Sequence, residues 1–522
     1  MHLNLPGLSK LSLVLVCILC AACTDPDDDA DPDALRVAIS TFSDGTFLPW
    51  NGSSGRKPYL DAIYEYLVYL EPGGLEPTPG LAERWEAAPD GLSFTLWLRK
   101  GVMFDAGWGE LTAEDVKYTF DRMMERQSIA GASSSLRYQI AEVEVSGRYE
   151  VIFRLKRPDI EFIPSYLSNG LVIPIASKKY LLEAGDEYAN AHPVGTGPFR
   201  LASFREDTLI ELEAVNGGRG NWRVRPEFTK IRFLSVPEEF TRAAMLKAGE
   251  VDIAPINYDS ITTLEDAGFR VIYVAANWAP VVRLGGVVSS HPNPDVPWHD
   301  RRVRQAMNYA IDKEAIVQYV LHGQALITAG DFPAREWEDI EPYPYDPDKA
   351  RSLLAEAGYA DGFDLTLRTF TTSPGAELPI IAEVVSRYWR DVGIRATIVP
   401  TTWTSLRTAW VTGKLDDVVW THRGLAFTNA LQGLIASAQS QNLFASFADD
   451  HTDVEIEALG SEFDRARRAE RIEALGRYLR DQASSVFIGF ANEPFGVSSR
   501  VASWPTLSQQ STNLDLVRRA HP

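Results

Sequence analysis

Residues 75–123 read LEPTPGLAERWEAAPDGLSFTLWLRKGVMFDAGWGELTAEDVKYTFDRM, and this stretch says most about the fold. Asp90-Gly91 supplies a turn, and the alternation of apolar and polar residues over 92–99 then predicts a half-buried strand. Thr112 and Asp115 have the spacing of a capping box, so we expect a helix to begin there. A strand and a capped helix in one short segment indicate a protein that mixes both kinds of element.

Further elements of both kinds follow along the chain. Alternating or short apolar runs predict strands at 35–40, 208–214, 229–234, 394–399, 415–420 and 486–490, and a hairpin at 143–155 that turns at Ser146-Gly147. Capping residues predict helices that begin after Asp300, Asp312 and Asp346, a helix near 378–391, and a long helix from Thr452 with Glu455 completing its capping box. The chain shows no repeats, so its strands and helices indicate several lobes.

Five segments together resemble one family. Besides residues 75–123, these are PVGTGPFRL (193–201), LKAGEVDIAPI (246–256), DRRVRQAMNYAIDKEAIVQYVLHGQA (300–325) and YDPDKARSLLAEAGYADGF (345–363). In order and spacing they resemble the family 5 extracellular solute-binding proteins, which are peptide-, dipeptide- and nickel-type receptors of ABC importers. The resemblance covers nearly the whole chain after its first 33 residues.

The resemblance implies an α/β and α+β chain with the two-lobed periplasmic-binding-protein fold (type II, cluster C-like), an extra subdomain and a central ligand cleft. The implied division places lobe I at 34–70, 190–284 and 485–522, the extra subdomain at 71–189, and lobe II at 285–484. The chain would cross between lobes near Arg283–Val288 and Ser485–Phe490. These crossings are the expected hinge, because a few residues at strand ends can absorb a large closure.

The implied function is capture of an extracytoplasmic solute, a peptide by family default, and its delivery to an ABC permease and ATPase complex. We expect a monomer that has no cofactor and is not an enzyme. The sequence lacks the G-x-S-x-G, G-x-x-x-x-G-K-[ST] and H-E-x-x-H motifs, and the S-x-x-K match at Ser54 and Lys57 has no supporting K-T-G. The alternatives are a receptor of the same fold for a non-peptide solute (an anion, an opine, a sugar or a metal chelate, with nickel and haem receptors known in the family) and a sensory or chaperone-like envelope protein.

The resemblance also implies which segments face the cleft. They are 41–51, 278–286, 401–403 and the turn after the strand at 415–420. The side chains expected to bind the ligand are Phe42, Trp50, Trp278, Arg283, Trp403, Trp420, His422, Arg423, Asn429 and Phe490. For each aromatic residue in this set, packing in a core is the competing interpretation.

One departure from the family pattern bears on the ligand. Peptide-binding members commonly place an aspartate shortly after a tryptophan in this region, where it holds the terminal ammonium of the ligand. Residues 418–429 read VVWTHRGLAFTN, so His422 and Arg423 stand where that carboxylate is expected. If they face the cleft, an anionic or polar solute such as an opine is favoured, since arginine suits carboxylate and phosphate. If the loop is shifted, Arg423 points into solvent.

The first 33 residues have the pattern of an exported lipoprotein. The apolar run 11–22 is too short to span a membrane and is typical of a signal peptide, which we place at 1–22. Cys20-Ala21-Ala22-Cys23 resembles a lipobox, although leucine is usual where Cys20 stands, so Cys23 is the expected site of lipidation. An ordinary signal peptide is the alternative. The acidic segment 23–33 is expected to be an extended tether rather than a calcium site.

Composition narrows the classes of function. The formal net charge of −20 argues against nucleic-acid binding, which depends on lysine and arginine at phosphates. All three cysteines lie within the first 23 residues, so the rest of the chain cannot form disulfides. We expect a protein at the periplasmic or extracytoplasmic face, held to the cell membrane through a lipid anchor.

Overall fold

The structure is a computed structural model that describes residues 31–52, 54–70, 76–170, 173–288, 290, 292–331, 334–371, 375–425, 430–442, 445–505 and 513–520. The predicted signal peptide, Cys23 and most of the tether lie outside the described residues, and so does Asn429. Within the described ranges, no helix combines the length and the apolar character needed to cross a membrane.

A large mixed sheet forms the centre of the molecule. Its strands are β1 (Ala34–Ile39), β10 (Phe199–Arg205), β11 (Leu209–Ala214), β12 (Lys230–Ser235), β13 (Ile253–Pro255), β14 (Arg270–Leu284), β15 (Ala325–Leu326), β16 (Phe363–Thr369), β17 (Ile394–Pro400), β18 (Val419–Leu425), β19 (Val486–Phe487) and β20 (Phe490–Val497). The spatial order is β10-β11-β12-β1-β13-β20-β14-β18-β16-β17, with β15 paired to β20 and β19 to β14. β1 is parallel to β12 and β13, and β16 is parallel to β17 and β18.

The long strand β14 connects the two halves of this sheet. Its first part pairs antiparallel with β20, and its last part, from Trp278 to Leu284, pairs with β18. The register on β20 shifts between Val274 and Trp278. At the predicted crossing, Val282 lies opposite Val486, so the two chain segments expected to form the hinge are side by side.

Smaller sheets flank the centre. A four-stranded sheet in the order β4-β5-β9-β8 is formed by β4 (Ala82–Ala87), β5 (Ser93–Leu98), β8 (Ile140–Gly147) and β9 (Glu150–Leu155). Two-stranded pairs are formed by β2 (Val68–Leu70) with β3 (Pro77–Pro79), β6 (Met103–Phe104) with β7 (Gly109–Glu110), and β21 (Val501–Ser503) with β22 (Arg518–Arg519).

The helices surround these sheets. They are α1 (Lys57–Ile63), α2 (Ala113–Met124), α3 (Ser133–Gln139), α4 (Phe162–Tyr166), α5 (Lys178–Ala184), α6 (Asp186–Ala191), α7 (Glu239–Ala248), α8 (Ile261–Asp266), α9 (Arg301–Tyr309), α10 (Lys313–Tyr319), α11 (Pro347–Glu356), α12 (Leu378–Asp391), α13 (Trp403–Val411), α14 (Ala430–Ala438), α15 (Asp450–Gly460) and α16 (Arg465–Gln482).

Several of the predicted helix starts are confirmed. The Thr112 amide donates to Asp115 at 2.8 Å, which completes the capping box of α2. Asp300, Asp312 and Asp346 each accept a hydrogen bond from the first turn of α9, α10 and α11. These short polar side chains satisfy amides that have no partner within the helix.

Three sequence predictions were wrong in detail. The helix predicted from Thr452 is two helices, α15 and α16, and its cap is Asp449, whose carboxylate accepts from the Thr452 amide at 2.9 Å. The 143–155 hairpin turns after Gly147, which still pairs with Glu150. The strand predicted at 486–490 is interrupted at Gly489, where a Cβ would lie 2.4 Å from the carbonyl oxygen of Leu326.

The arginines at the start of α9 are accommodated by neighbouring groups. Arg301 forms an ion pair with Asp481 at 2.7 Å, and Arg302 forms one with Asp300 at 2.6 Å. Arg304 is buried and donates to the carbonyls of Trp298, His299 and Gln482. Oxygen acceptors therefore offset the unfavourable position of these cations at a helix N-terminus.

Two hydrophobic cores fill the molecule. One contains side chains of β1, α1, β11, β12 and residues 81–189, among them Tyr59 and Phe153. The other contains β14, β16, β18, α9, α12 and α14, with Trp278 and Trp389 fully buried, and it extends to Leu246 and Leu264 of α7 and α8. The second core therefore includes residues from both halves of the sheet, and β14 runs between those halves.

The glycines of PVGTGPFRL allow close packing against α1. A Cβ on Gly195 would lie 2.0 Å from the carbonyl oxygen of Ile63, and one on Gly197 would lie 2.6 Å from that of Ala62. Neither glycine has a positive φ. Glycine is therefore required here because backbone approaches backbone, and not because of an unusual turn conformation.

We predict that Gly195→Ala lowers the free energy of unfolding by about 3 kcal/mol, because the methyl group would overlap rigid backbone. Gly131→Ala is the matched control, since nothing lies within 4 Å of its added Cβ. Urea unfolding of both variants measures the difference. Equal stabilities would show that the loop at Gly195 relaxes freely, against this interpretation.

Candidate functional site

The pairing of β18 with β14 determines where the predicted site residues lie. Trp420 is opposite Arg283, His422 is opposite Val281, and Arg423 is opposite Pro280. The strand covers Val419–Leu425 instead of 415–420, so His422 and Arg423 are in the strand and not in a turn after it. Directly opposed residues share a face of a sheet, so Trp420, His422 and Arg283 lie on one face.

A second arginine lies beside Trp420 on β16, the other strand that pairs with β18. Arg368 of β16 is the register partner of Trp420. The order across three adjacent strands is therefore Arg368, Trp420, Arg283, and we call these three residues the donor row. Arg368 was not among the residues predicted from the sequence. Its signal is the alternation in β16, where Leu365 and Leu367 are buried and point to the opposite face.

Aromatic rings from α13 lie against His422. The ring centroid of His422 is 5.8 Å from that of Trp403 and 5.1 Å from that of Trp410, and Trp410 also lies 5.1 Å from Trp420. Trp403 is 39% exposed, whereas His422 is 9% and Trp420 4% exposed. Exposure therefore falls from Trp403 to His422 and Trp420. Trp410 was not among the predicted site residues.

Arg283 is held by a buried ion pair. Its Nη1 lies 2.8 Å from Oδ2 of Asp331, and both side chains are almost fully buried. Asp331 also accepts from the hydroxyls of Ser446 at 2.5 Å and Ser485 at 3.2 Å. Burial lowers the pKa of Arg283, and the charge of Asp331 opposes that shift. Such a pair fixes the guanidinium in position, since both charges are removed from water.

The donor row contains buried polar atoms without hydrogen-bond partners. They are Nε of Arg368, Nε1 of Trp420, and both Nε and Nη1 of Arg283, of which Nη1 has only its ion-pair contact with Asp331. Nδ1 of the neighbouring His422 also lacks a hydrogen-bond partner. Arginine and tryptophan nitrogens can only donate. A buried donor without a partner costs about 1–3 kcal/mol, so several in one place require an explanation.

His422 and Arg423 differ in their charge. Burial, reinforced by the charges of Arg283 and Arg423, lowers the pKa of His422 well below its usual range, so its imidazole is neutral at neutral pH. Burial also lowers the pKa of Arg423, and Glu493 of β20 opposes this shift. Arg423 is partly buried, which is contrary to the alternative that it points into solvent.

Two buried carboxylates lie on elements next to these strands. Glu493 on β20 is 7% exposed, and Glu377 immediately before α12 is 8% exposed. Burial raises the pKa of Glu377 to about 7. The expected carboxylate is absent from the sequence after Trp420, but the charge of Glu493 acts on Arg423 from another segment. Glu377 lies by Tyr258, Asp259 and Glu239 instead.

The remaining predicted residues are not in the donor row. Phe42 packs on Phe204 at 6.5 Å, and Trp50 packs on Tyr118 at 6.2 Å within the first core. Trp278 and Phe490 are each 1% exposed and belong to the second core. The structure therefore brings together Arg283, Trp403, Trp420 and His422, with Arg423 adjacent on β18.

Comparison with known proteins identifies similar sequences. The model of the bacterial extracellular solute-binding proteins, family 5 Middle, matches residues 76–443. The dipeptide-binding protein of Escherichia coli strain K12 is 31% identical over 438 residues, which is 76% of this chain and 76% of that protein. Heme-binding protein A of Haemophilus influenzae is 28% identical and covers 83% of this chain and 84% of its own length.

Solved structures show the same fold. The ABC transporter-associated periplasmic binding protein DppA of Helicobacter pylori, in complex with the peptide STSA, has a TM-score of 0.79 and 22% identity, covering 94% of this chain and 98% of that chain. AgaA from A.tumefacien R10, in complex with agropinic acid, has a TM-score of 0.77 and 22% identity, covering 94% and 99%. These likenesses confirm the predicted type II periplasmic-binding-protein fold.

We predict that His422 makes stability depend on pH. The folded protein keeps this imidazole neutral, whereas the unfolded chain takes up a proton below about pH 6.5. Stability is therefore lost as the pH falls below that value, by up to about 1.4 kcal/mol per pH unit. Between pH 7.5 and 5.5, the free energy of unfolding should fall by about 1 kcal/mol less in His422→Gln than in the unaltered protein.

Urea unfolding at the two pH values provides this measurement. His451→Gln, at an exposed position, controls for the loss of an imidazole elsewhere in the chain. Identical pH dependence in His422→Gln and the unaltered protein would contradict burial of a neutral His422.

Proposed function

The chain belongs to the family 5 bacterial extracellular solute-binding proteins, the solute-binding components of ABC importers, and on that premise we propose that its solute is a peptide or a peptide-like compound. The observation that carries this proposal is the 31% identity to a dipeptide-binding protein across 76% of both chains. Members of this family act in the periplasm or at an extracytoplasmic face and work with permease and ATPase subunits.

The proposed mechanism is closure of two lobes over the solute. Lobe I comprises 34–70, 190–284 and 485–522, the extra subdomain 71–189, and lobe II 285–484. In support, β14 pairs with β20 in its first part and with β18 in its last, and its register shifts between Val274 and Trp278. A solute drives closure only if it binds the closed form more tightly than the open form.

The proposed binding side chains lie mainly on lobe II. Arg283, Trp403, Trp420 and His422 are gathered at one face of β18, whereas Arg423 follows His422 on the opposite face, and the ring of Trp403 is exposed. Core packing accounts for the other predicted aromatic residues, which are Phe42, Trp50, Trp278 and Phe490. No catalytic role is proposed, since the matching relatives are binding proteins.

A second candidate is a non-peptide anionic solute, such as an opine. It is favoured by Arg423, which stands on β18 where the resemblance expects an aspartate for a ligand ammonium. AgaA, which shares the fold, was solved with agropinic acid. The choice between the two solutes depends on whether a carboxylate such as Glu377 or Glu493 serves the ammonium instead.

We predict that the purified protein retains a solute that native mass spectrometry identifies, and that restoring this solute to stripped protein contracts it in small-angle X-ray scattering. Peptides should raise the melting temperature, because a ligand that binds only the folded state stabilises it. Glucose serves as the non-peptide control in the melting assay. Identical scattering profiles with and without saturating solute would contradict closure of the lobes.

We also propose that Cys23 carries a lipid anchor and that the mature protein is a monomer tethered to the cell membrane. The support is the Cys20-Ala21-Ala22-Cys23 motif and the lack of any cysteine after it. More than one acyl chain is needed for stable anchoring, and lipoprotein processing supplies it.

We predict that Cys23→Ala moves the protein from the membrane fraction to the soluble extracytoplasmic fraction after cell fractionation. Cys17→Ala is the matched control, because it removes a cysteine upstream of the expected cleavage position. Membrane retention of both variants would refute acylation at Cys23.

A further inference from the structure

Two segments meet where the proposed lobes face each other. In lobe I, β13 is parallel to β1 and is followed by the single helical turn Tyr258–Ser260. In lobe II, β16 is parallel to β17 and β18, and the chain after it reaches Glu377 immediately before α12. Ligand clefts of open α/β sheets lie at the carboxyl ends of parallel strands, so both segments belong to the expected edge of the cleft.

Glu377 and His322 of lobe II contact this turn of lobe I. The carboxylate of Glu377 accepts a backbone hydrogen bond from Tyr258. The ring of His322 is stacked on that of Tyr258, with centroids 6.3 Å apart, and its Nε2 lies 3.3 Å from Oδ1 of Asp259. Glu377 and Tyr258 are 8% and 2% exposed, so the contact between the proposed lobes is largely closed to water.

Two further carboxylates act on Glu377 from lobe I. They belong to Glu239, at the start of α7, and to the exposed Asp259. Glu239 is 8% exposed, its Oε1 accepts from the amide of Asn257 at 3.1 Å, and its Oε2 is buried without a hydrogen-bond partner. Because like charges repel more strongly where water is excluded, ionised Glu377 opposes this contact.

The other charged groups on the neighbouring elements are engaged elsewhere. Arg242 of α7 donates to three backbone carbonyl oxygens. Glu238, which precedes α7, and Glu493 of β20 act on that same guanidinium, and Glu493 also acts on Tyr258. The imidazole of His322 lies against the aspartate of the turn. The surroundings of the lobe contact are therefore mainly acidic.

Protonation of Glu377 is coupled to this contact. Burial raises its pKa to about 7, reinforced by the charges of Asp259 and Glu239 and opposed by backbone hydrogen bonds. Opening of the lobes returns the carboxyl to water and moves it away from both carboxylates, so its pKa falls towards the usual value. The closed form then binds the proton more tightly, so protonation favours closure, and this advantage is lost as the pH rises through about 7.

We propose that Glu377 is a proton-dependent contact between the lobes, which favours closure over the solute when its carboxyl is protonated and weakens closure when it is ionised. This inference rests on the proposed closure of the lobes and adds the regulation of the same site. Closure takes up a proton and opening releases it, so the affinity for solute follows the pH at the extracytoplasmic face.

The experiment measures the affinity for the dipeptide Met-Leu at pH 5.5 and 7.0 by isothermal titration of the stripped, full-length mature protein. Both values lie below the pKa of the peptide amino group, about 7.7–8.0. We expect the unaltered protein to bind about 10-fold more weakly at pH 7.0, with uptake of nearly one proton at pH 5.5 when buffers of different ionisation enthalpy are compared.

Variants assign the proton to one carboxyl. Glu377→Gln imitates the protonated form, so its affinity should be the same at both pH values and close to that of the unaltered protein at pH 5.5. Glu383→Gln, at an exposed position of α12, is the matched control and should keep the 10-fold change. If Glu377→Gln does not fold, Glu239→Gln decides, because loss of that repelling charge should reduce the pH dependence.

Three results would overturn the assignment while leaving the receptor role intact. An undiminished pH dependence in Glu377→Gln would show that the proton binds elsewhere. Loss of that dependence in Asp159→Asn alone would assign it to Asp159, another buried carboxyl whose pKa burial raises to about 7. A uniform loss of affinity in Glu377→Gln at both pH values would make Glu377 a contact of the solute instead.

Small-angle X-ray scattering of solute-free protein separates this inference from the proposed function. The unaltered protein should be more compact at pH 5.5 than at pH 8.0, and Glu377→Gln should be equally compact at both. If this holds but the protein neither binds Met-Leu nor retains a solute, the proposed peptide-binding function fails and the proton-dependent contact stands. If the solute-free protein is open at both pH values, the pH dependence of the affinity decides.

Discussion

The pairing of β14 with two different partners is the constraint on which the rest of the structure depends. One continuous strand, Arg270–Leu284, pairs with β20 along its first part and with β18 along its last. Because backbone hydrogen bonds fix the register, Arg283 must lie beside Trp420, and Arg368 of β16 must flank it on the other side. The same strand joins the two halves of the sheet, since it pairs with β20 in one half and with β18 in the other.

Desolvation gives this row its chemical character. Trp420 and Arg283 are 4% and 6% exposed, so their unpaired donors cannot be satisfied by bulk water. The charge of Arg283 is offset by Asp331, whose carboxylate lies 2.8 Å from its guanidinium. His422 is a polar but uncharged neighbour of these residues, because burial holds its pKa well below the usual range.

The sequence predicted the scaffold better than the site. The capped helices at Thr112, Asp300 and Asp346 follow from local side-chain chemistry, which acts over three or four residues. The fold class and family were predicted from five segments in order. Arg368 and Trp410 were missed because their role depends on register between strands that are distant in sequence. His422 and Arg423 were predicted in a turn because β18 is shifted by several residues, and tertiary pairing with β14 sets its bounds.

Pairing of β14 with both β20 and β18 joins the two halves of the sheet, and we propose that the solute binds beside this junction. The most direct measurement is a crystal structure of the protein with its retained solute. We predict that the solute in that structure contacts side chains on or beside β18, among them Trp403 and His422. A solute bound elsewhere would contradict it.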